Sequence, residues 1–260
     1  MAVRPAGWLL DLAEGPVDYG EAWALQRALV AARQDARVPD LLMLLEHAPV
    51  VTIGRSGRRG NVLMPAEELR RRGIALYEVE RGGDVTYHGP GQLVGYPVMH
   101  LRALGEDVVR YVRLLEEAVI VTLASFGIAA GRERGYPGVW VGGAKICAVG
   151  VAVKRAVTMH GFALNVTTPP EAFAAINPCG LGRPVTSMAA VLGRPVALAD
   201  VRPRYAAAFS RVFQLPLRPV SLQALPDEVR ARAASERAAL AAATLMAAAG
   251  HPAGRAPAPA

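Results

Sequence analysis

Cys179, Lys145 and His88 are the residues of this chain whose types and surroundings best suit chemistry. Cys179 stands in Asn177-Pro178-Cys179-Gly180-Leu181. Proline fixes the backbone on one side and glycine permits an unusual turn on the other, so the thiol can be offered at a loop tip beside exposed backbone N–H groups. A thiolate is the nucleophilic form, and a nearby cation would favour it. Lysine supplies that cation and can exchange a proton in a partly desolvated setting. Histidine is the more usual base. The residues therefore permit both a Cys–Lys and a Cys–His arrangement, and spacing alone does not choose between them. The blander readings are a buried, inert cysteine, the commoner fate of this residue type, and a lysine that projects from a strand end into water.

His88 belongs to Arg81–Pro97, RGGDVTYHGPGQLVGYP, whose glycines let backbone turn sharply or approach a ligand while Thr86, Tyr87, His88 and Gln92 supply polar groups. Leu93, Val94 and Val98 predict a strand that holds this loop at its edge. Lys145–Lys154 and Val157–Val166 read as two further strands joined by Arg155-Ala156 as a two-residue hairpin. Strict alternation would place Lys145, Cys147, Val149, Val151 and Val153 on one face. Gly54-Arg55-Ser56-Gly57 reads as a turn able to present positive charge to an anionic group, or as a solvent-facing linker.

The remaining elements supply the frame. Trp8–Leu12, the apolar run within Asp40–Glu46, the residues after Pro49 and Ile74–Val79 have strand composition. Helices are expected from Tyr19 to before Pro39, over Pro65–Arg72, over the stripe Leu104–Phe126, near Pro170, over Ser187–Leu192, over Pro203–Phe213, and over Asp227–Ala249. The Leu104–Phe126 stripe is assigned to core packing. Pro216 and Pro219 are expected to break regular order. The alanine-rich Asp227–Ala249 helix has sparse anchors and is expected at the surface or loosely held, and His251–Ala260 reads as a low-complexity, disordered tail.

The chain has 260 residues, and 52% of them are hydrophobic, enough for either one large α/β domain or one domain plus a small appendage. Lys and Arg number 29 against 22 Asp and Glu, a formal charge of +7. Such a surface attracts an acidic protein, an anionic ligand or nucleic acid without distinguishing among them. Arginine is spread with no long basic block and few interleaved aromatics, which weakens the nucleic-acid reading. Cys147 and Cys179 are not in a metal-binding pattern, so no metal is expected. The opening is interrupted too early by acid and proline for an export signal, and no apolar run approaches the roughly 20 residues of a membrane span. The expectation is a cytoplasmic protein without membrane contact.

Four stretches, LEHAPVVTIGRSG, RGGDVTYHGPGQLVGYPVMHL, GVWVGGAKICAVGVAVKRAVTMHGFALNV and INPCGL, occur in an order that resembles the lipoyl(octanoyl) transferases, within the biotin and lipoate protein ligase superfamily. The resemblance runs from about Trp8 to Phe213. It implies an α/β (α+β) fold, with a mixed, largely antiparallel sheet flanked by helices. It implies transfer of an octanoyl group from octanoyl-acyl carrier protein to a lysine on lipoyl domains of 2-oxoacid dehydrogenase complexes and glycine cleavage H protein, without a cofactor. By the same resemblance Cys179 carries the acyl group and Lys145 is its dyad partner. Substrate binding falls to Arg81, Gly82, Gly83, Thr86, Tyr87, His88, Gly89, Gly142, Gly143, Ala144, His160, Gly161 and Gly180. The nearest rival is an ATP-dependent lipoate or biotin protein ligase, which does not need the cysteine of NPCG. Residues 1–220 are expected to form the catalytic domain, 221–250 a helical extension and 251–260 the tail. Cys147 departs from the small residue, commonly alanine, of relatives, and opens a route to off-pathway oxidation or acylation.

Overall fold

A computed structural model describes residues 5–177 and 183–249, with 243–249 described by backbone alone. The chain runs β1 (Gly7–Asp11), α1 (Tyr19–Gln34), β2 (Leu41–Leu45), β3 (Val50–Ile53), α2 (Ala66–Arg71), β4 (Ala75–Glu78), β5 (Val85–His88), β6 (Gln92–Val98) and α3 (Val108–Ala124). It continues through β7 (Gly131–Glu133), β8 (Tyr136–Val141), β9 (Ala144–Lys154), β10 (Val157–Asn165), α4 (Met188–Leu192), α5 (Leu198–Phe213), β11 (Leu217–Pro219) and α6 (Asp227–Ala249).

Eight strands form one sheet in the order β11-β1-β2-β6-β10-β9-β8-β7, and β4-β3-β5 form a second, smaller one. The β11-β1-β2 edge is parallel, and from β2 onward every pairing of the large sheet is antiparallel. Every residue of β2 is buried because both faces of the sheet are covered. Leu42, Leu44, Leu93 and Leu164 pack under α3 and α5 with Tyr111, Leu115, Tyr205 and Phe209. Their strand neighbours Leu41, Met43, Leu45 and Val94 pack on the opposite face under α1 with Leu25 and Leu29. The mixed, mainly antiparallel sheet between helices is the expected fold class.

Four local expectations change. The stripe predicted from Leu104 begins as a helix only at Val108, because Gly105 (φ 68°) and Glu106 (φ 59°) turn the chain after a 3₁₀ turn at Leu101–Leu104. The Asp107 carboxylate then accepts from Arg110 N–H at 2.9 Å as the cap. Helix α5 starts at Leu198, so Pro203 lies inside it; a proline there forfeits a single ladder bond, which the buried Val201, Tyr205 and Phe209 offset. The proline-flanked 217–219 stretch forms β11, tolerated because it is the edge strand. Helix α6 lies at the surface but is anchored: Val229 is buried against the α1 side of the core, and Arg27–Glu236 (3.3 Å) and Glu21–Arg237 (2.6 Å) tie it to α1.

Candidate active site

The two sheets meet where the chain passes from β5 to β6. Strand β5 pairs with β3 in the small sheet, whereas β6 lies between β2 and β10 in the large one, and residues 89–91 make the crossing. The glycine-rich stretch is thus a strand, a tight turn and a second strand, with His88 the last residue of β5. Beside this crossing the large sheet comes very close to itself. A Cβ on Gly161 would lie 2.1 Å from the Gly95 carbonyl oxygen, so only glycine fits between β6 and β10 there.

A cavity of about 440 Å³ opens between β5, β9 and β10, within the size range of small-molecule sites. Of the expected substrate-binding residues, Arg81, Gly82, Gly83, Thr86, His88, His160 and Gly161 line it, and so does Lys145. The apolar wall comes from Val85, Val112, Val149, Val151, Phe162 and Phe173. Tyr87, Gly89, Gly142, Gly143 and Ala144 are not among its lining residues. Tyr87 packs edge-on against Phe173 at 5.6 Å on the small-sheet side, and Gly142 and Gly143 form the turn between β8 and β9. Cys179 and Gly180 lie outside the described residues.

Lys145 is half-buried near the start of β9. Its Nζ stands 4.8 Å from the centroid of the buried Trp140 ring, a cation–π contact. Its backbone is gripped on both sides: Lys145 N–H donates to Pro184 O at 2.9 Å, and Thr186 N–H donates to Lys145 O at 3.0 Å. The chain that follows NPCG is therefore paired to Lys145 itself. On the other flank Asn177 N–H donates to Asn61 O at 2.8 Å.

Of the single face predicted for Lys145, Cys147 and the valines, Cys147, Val149, Val151 and Val153 do pack against one core, and Lys145 alone is set apart. The register shifts between Val139 and Trp140, which pair with Cys147 and Lys145, leaving Ile146 as an extra residue on β9. Lys145 faces the cavity, while Ile146 and Cys147 are both fully buried in the core beneath α3 and α5. Burial pushes the Cys147 thiol well above its ordinary range, and the Lys145 charge offsets little of this. The expected off-pathway oxidation or acylation at Cys147 is thereby opposed by exclusion of reagent and by suppression of the thiolate.

The polar floor of the cavity is a hydrogen-bonded chain. His88 Nδ1 lies 2.7 Å from Gln92 Oε1, and Gln92 Nε2 donates to Asn165 Oδ1 (2.9 Å) and Tyr87 O (3.2 Å). Asn165 Nδ2 donates in turn to Thr186 O at 3.0 Å, next to the grip on Lys145. Because Gln92 uses its amide N–H groups elsewhere, His88 must donate from Nδ1, which leaves Nε2 with the lone pair. Burial lowers the His88 pKa well below the ordinary value, with His47, Arg81 and His160 adding to the effect against the Gln92 bond. Arg81 is buried, donating to Thr52 O at 2.8 Å and to Gly82 O at 3.1 Å, and contributes a fixed positive charge.

Behind this floor, His47 lies between Val17 O (2.9 Å) and the Tyr96 hydroxyl (2.7 Å), and burial lowers it to about 4. His160, held at φ 58°, is also lowered by burial, with Glu80 Oε2 3.8 Å from its Nε2. Burial opposes ionisation of Glu80, but His160, the backbone and the Trp23 indole together take it down to about 2. Tyr19, Tyr96, Asn165, Val112 and Phe173 also line the cavity and were not singled out in the sequence. Their partners lie far along the chain, and Val112 carries the same apolar spacing as its core neighbours. Among the described residues no group of three or more His, Cys, Asp or Glu is placed to hold a metal, and no helix is long and apolar enough to cross a membrane.

Residues 18–210 match the lipoyl protein ligase A/B catalytic domain. The octanoyltransferase of Solibacter usitatus is 51% identical over 205 residues, covering 79% of this chain and 93% of the relative. That of Geobacter metallireducens is 52% identical over 196 residues, covering 75% and 89%. Among solved structures, lipoate-protein ligase A bound with ATP superposes with a TM-score of 0.75 at 19% identity, covering 90% of this chain and 94% of that one. A bi-partite lipoate protein ligase from Thermoplasma acidophilum gives 0.70 at 19% identity, covering 90% and 92%. These structural likenesses establish the shared fold. The sequence matches go further: the chain belongs to the lipoyl protein ligase A/B catalytic domain family and, within it, groups with the octanoyltransferases.

Proposed function

We infer that this protein transfers an octanoyl group from octanoyl-acyl carrier protein to a specific lysine of lipoyl domains, in lipoate biosynthesis. The acceptors are those of 2-oxoacid dehydrogenase complexes and glycine cleavage H protein. The observation that carries the mechanism is the pairing of Lys145, on the cavity wall, with the chain that directly follows NPCG. Cys179 is two residues from Asn177 and five from Pro184 in sequence, and both of those residues are hydrogen-bonded beside the site.

In this reading the Cys179 thiolate attacks the octanoyl thioester carbonyl, and the Lys145 ammonium keeps that sulfur anionic. The tetrahedral intermediate collapses with cleavage of the carbon–sulfur bond to phosphopantetheine, and Lys145 gives its proton to the leaving thiolate. Lys145 is then a neutral amine. The lysine of the lipoyl domain attacks the new Cys179 thioester, Lys145 takes the proton that the nucleophile loses, and the Cys179 thiolate departs. Only the two half-reactions together return the dyad to its starting state. Arg81, Gly82, Gly83, Thr86, His88, His160 and Gly161 shape the acyl slot, and Tyr87, Gly89, Gly142, Gly143, Ala144 and Gly180 complete the proposed substrate-binding set. Each methylene buried in the slot contributes about 0.8 kcal/mol, so chain length is measured, but one carbon more or less discriminates by only about 1–3 kcal/mol.

The donor thioester is already activated, so neither ATP nor a metal is needed. An ATP-dependent lipoate or biotin ligase shares the fold, but the 51% and 52% identical relatives are octanoyltransferases. Residues 1–220 form the catalytic unit and 221–250 an added helical brace. A reducing compartment, the cytoplasm, keeps the Cys179 thiol free. Transfer from octanoyl-carrier protein to an isolated lipoyl domain in nucleotide-free buffer tests the reading. It is expected to proceed, and to fall at least about 100-fold in Lys145→Ala. A strict requirement for ATP would replace it with the ligase reading.

A further inference from the structure

Between β3 and the 3₁₀ turn at Arg59–Asn61 the chain makes a tight turn, Gly54-Arg55-Ser56-Gly57-Arg58, seated on the outside of the Arg81–Asp84 rim of the cavity. Gly54 N–H donates to Asp84 O at 3.1 Å, Arg55 N–H to Arg81 O at 2.9 Å and Ser56 N–H to Gly83 O at 3.2 Å. A Cβ on Gly54 would meet Gly83 O at 2.4 Å, so turn and rim are in direct backbone contact. Gly57 N–H donates to Gly54 O at 2.8 Å, and Arg58 N–H to Asp84 Oδ1 at 3.0 Å. The second Asp84 oxygen accepts from the Asn61 amide.

Every backbone N–H of the turn is thus spent inside the protein, and so is the one carboxylate beside it. The turn cannot hold an anion by its backbone, as a nest of free N–H groups would. What it offers outward are the exposed Arg55 and Arg58 side chains. The next arginine, Arg59, is paired with Glu78 at 2.6 Å. Among the described residues neither the Arg55 nor the Arg58 guanidinium has an ion pair or hydrogen bond of its own. Two unneutralised cations are therefore held on a rigid mount one hydrogen bond away from the cavity lining.

We propose that Arg55 and Arg58 bind the phosphate of the phosphopantetheine arm that carries the donor thioester, gripping it at the mouth while the acyl chain fills the cavity. This rests on the octanoyl-transfer reading. The arm is uncharged except for that phosphate, which stays outside when the acyl end enters. A guanidinium fork matches two phosphate oxygens at once, and two such forks suit a phosphate better than a point charge. The acceptor presents a lysine, itself a cation on approach, so unpaired arginines at the mouth favour the donor.

The test compares three donors with the full-length protein at saturating lipoyl domain: octanoyl-carrier protein, octanoyl-phosphopantetheine, and octanoyl-pantetheine, which lacks the phosphate. Arg55→Gln/Arg58→Gln is expected to raise KM about tenfold or more for the two phosphorylated donors. It should leave kcat and the octanoyl-pantetheine KM in place and flatten the salt dependence of kcat/KM. Arg55→Lys/Arg58→Lys should restore the salt dependence and only part of the KM. An equal loss with all three donors, or no loss, overturns the proposal. A loss confined to octanoyl-carrier protein would assign the arginines to the carrier's protein surface, and a rise only in the KM for the lipoyl domain would assign them to the acceptor; each overturns the phosphate assignment. Should the wild type use none of the donors, the octanoyl-transfer reading falls and this inference falls with it.

Discussion

At the scale of single residues, the site depends on how Lys145 is held and on which neighbours stay neutral. The Trp140 face 4.8 Å from the ammonium is worth roughly 0.5–2 kcal/mol in orientation. Trp140→Leu is therefore expected to lower kcat/KM by about 2- to 30-fold, whereas Trp140→Phe, which keeps a ring face, recovers most of it. Steady-state rates of both variants at equal folded fraction decide this. His47 gives a pH prediction. Its folded-state pKa of about 4 lies below the unfolded value near 6.5, so between those values the unfolded chain binds the extra proton and stability falls as pH drops. The loss is on the order of 3 kcal/mol once pH is below about 4, and His47→Gln, which stays neutral, should flatten that part of the denaturation profile against pH. A profile equally steep in the variant would remove His47 from the account. Lys145 was singled out by the family resemblance, because the strand pattern alone suits a lysine that projects into water, whereas His88 stood out as a polar residue among glycines. The burial of Cys147 was not legible, since alternation gives the row but not the depth of each member, and Cys147 is fully buried where Val149 and Val151 reach the cavity.

At the scale of elements, the hairpin β9–β10 was readable from Arg155-Ala156, and both residues do take the positive φ of a tight two-residue turn, 46° and 59°. What could not be read was the division of the glycine-rich stretch between two sheets, because a four-residue strand followed by a three-residue crossing has no periodicity long enough to register. The β6–β10 contact makes the cost of disturbing it concrete. Gly161→Ala puts a methyl 2.1 Å from the Gly95 carbonyl oxygen, on the wall of the cavity. It should destabilise the fold by about 1–3 kcal/mol or more and lower the melting temperature. Gly60→Ala, where the added methyl meets nothing within 4 Å, should leave it nearly unchanged. Equal melting temperatures for the two variants would contradict the close approach.

For the whole molecule, the two sheets and their helices frame the cavity, and the C-terminal helix braces α1. Composition showed that α6 would be helical but not that it would be held, because among its described residues the anchors are the buried Val229, the half-buried Ala233 and Leu240 beside it, and ion pairs to α1, too sparse an apolar set to stand out in an alanine-rich run. A chain ending at Pro226 should melt on the order of 5 °C lower, the effect of exposing one valine and its surroundings at about 1.5–3 kcal/mol, while keeping octanoyl transfer at low temperature. Loss of transfer at a temperature where the shortened chain is folded would show that α6 belongs to the catalytic unit. The account as a whole turns on which sulfur carries the acyl group, and intact mass after mixing with octanoyl-carrier protein reads it directly. The wild type and Cys147→Ser should each gain one octanoyl group and lose it to added lipoyl domain, and Cys179→Ala should gain none and transfer none. Transfer by Cys179→Ala at the wild-type rate, or an octanoyl group found on Cys147, would contradict it.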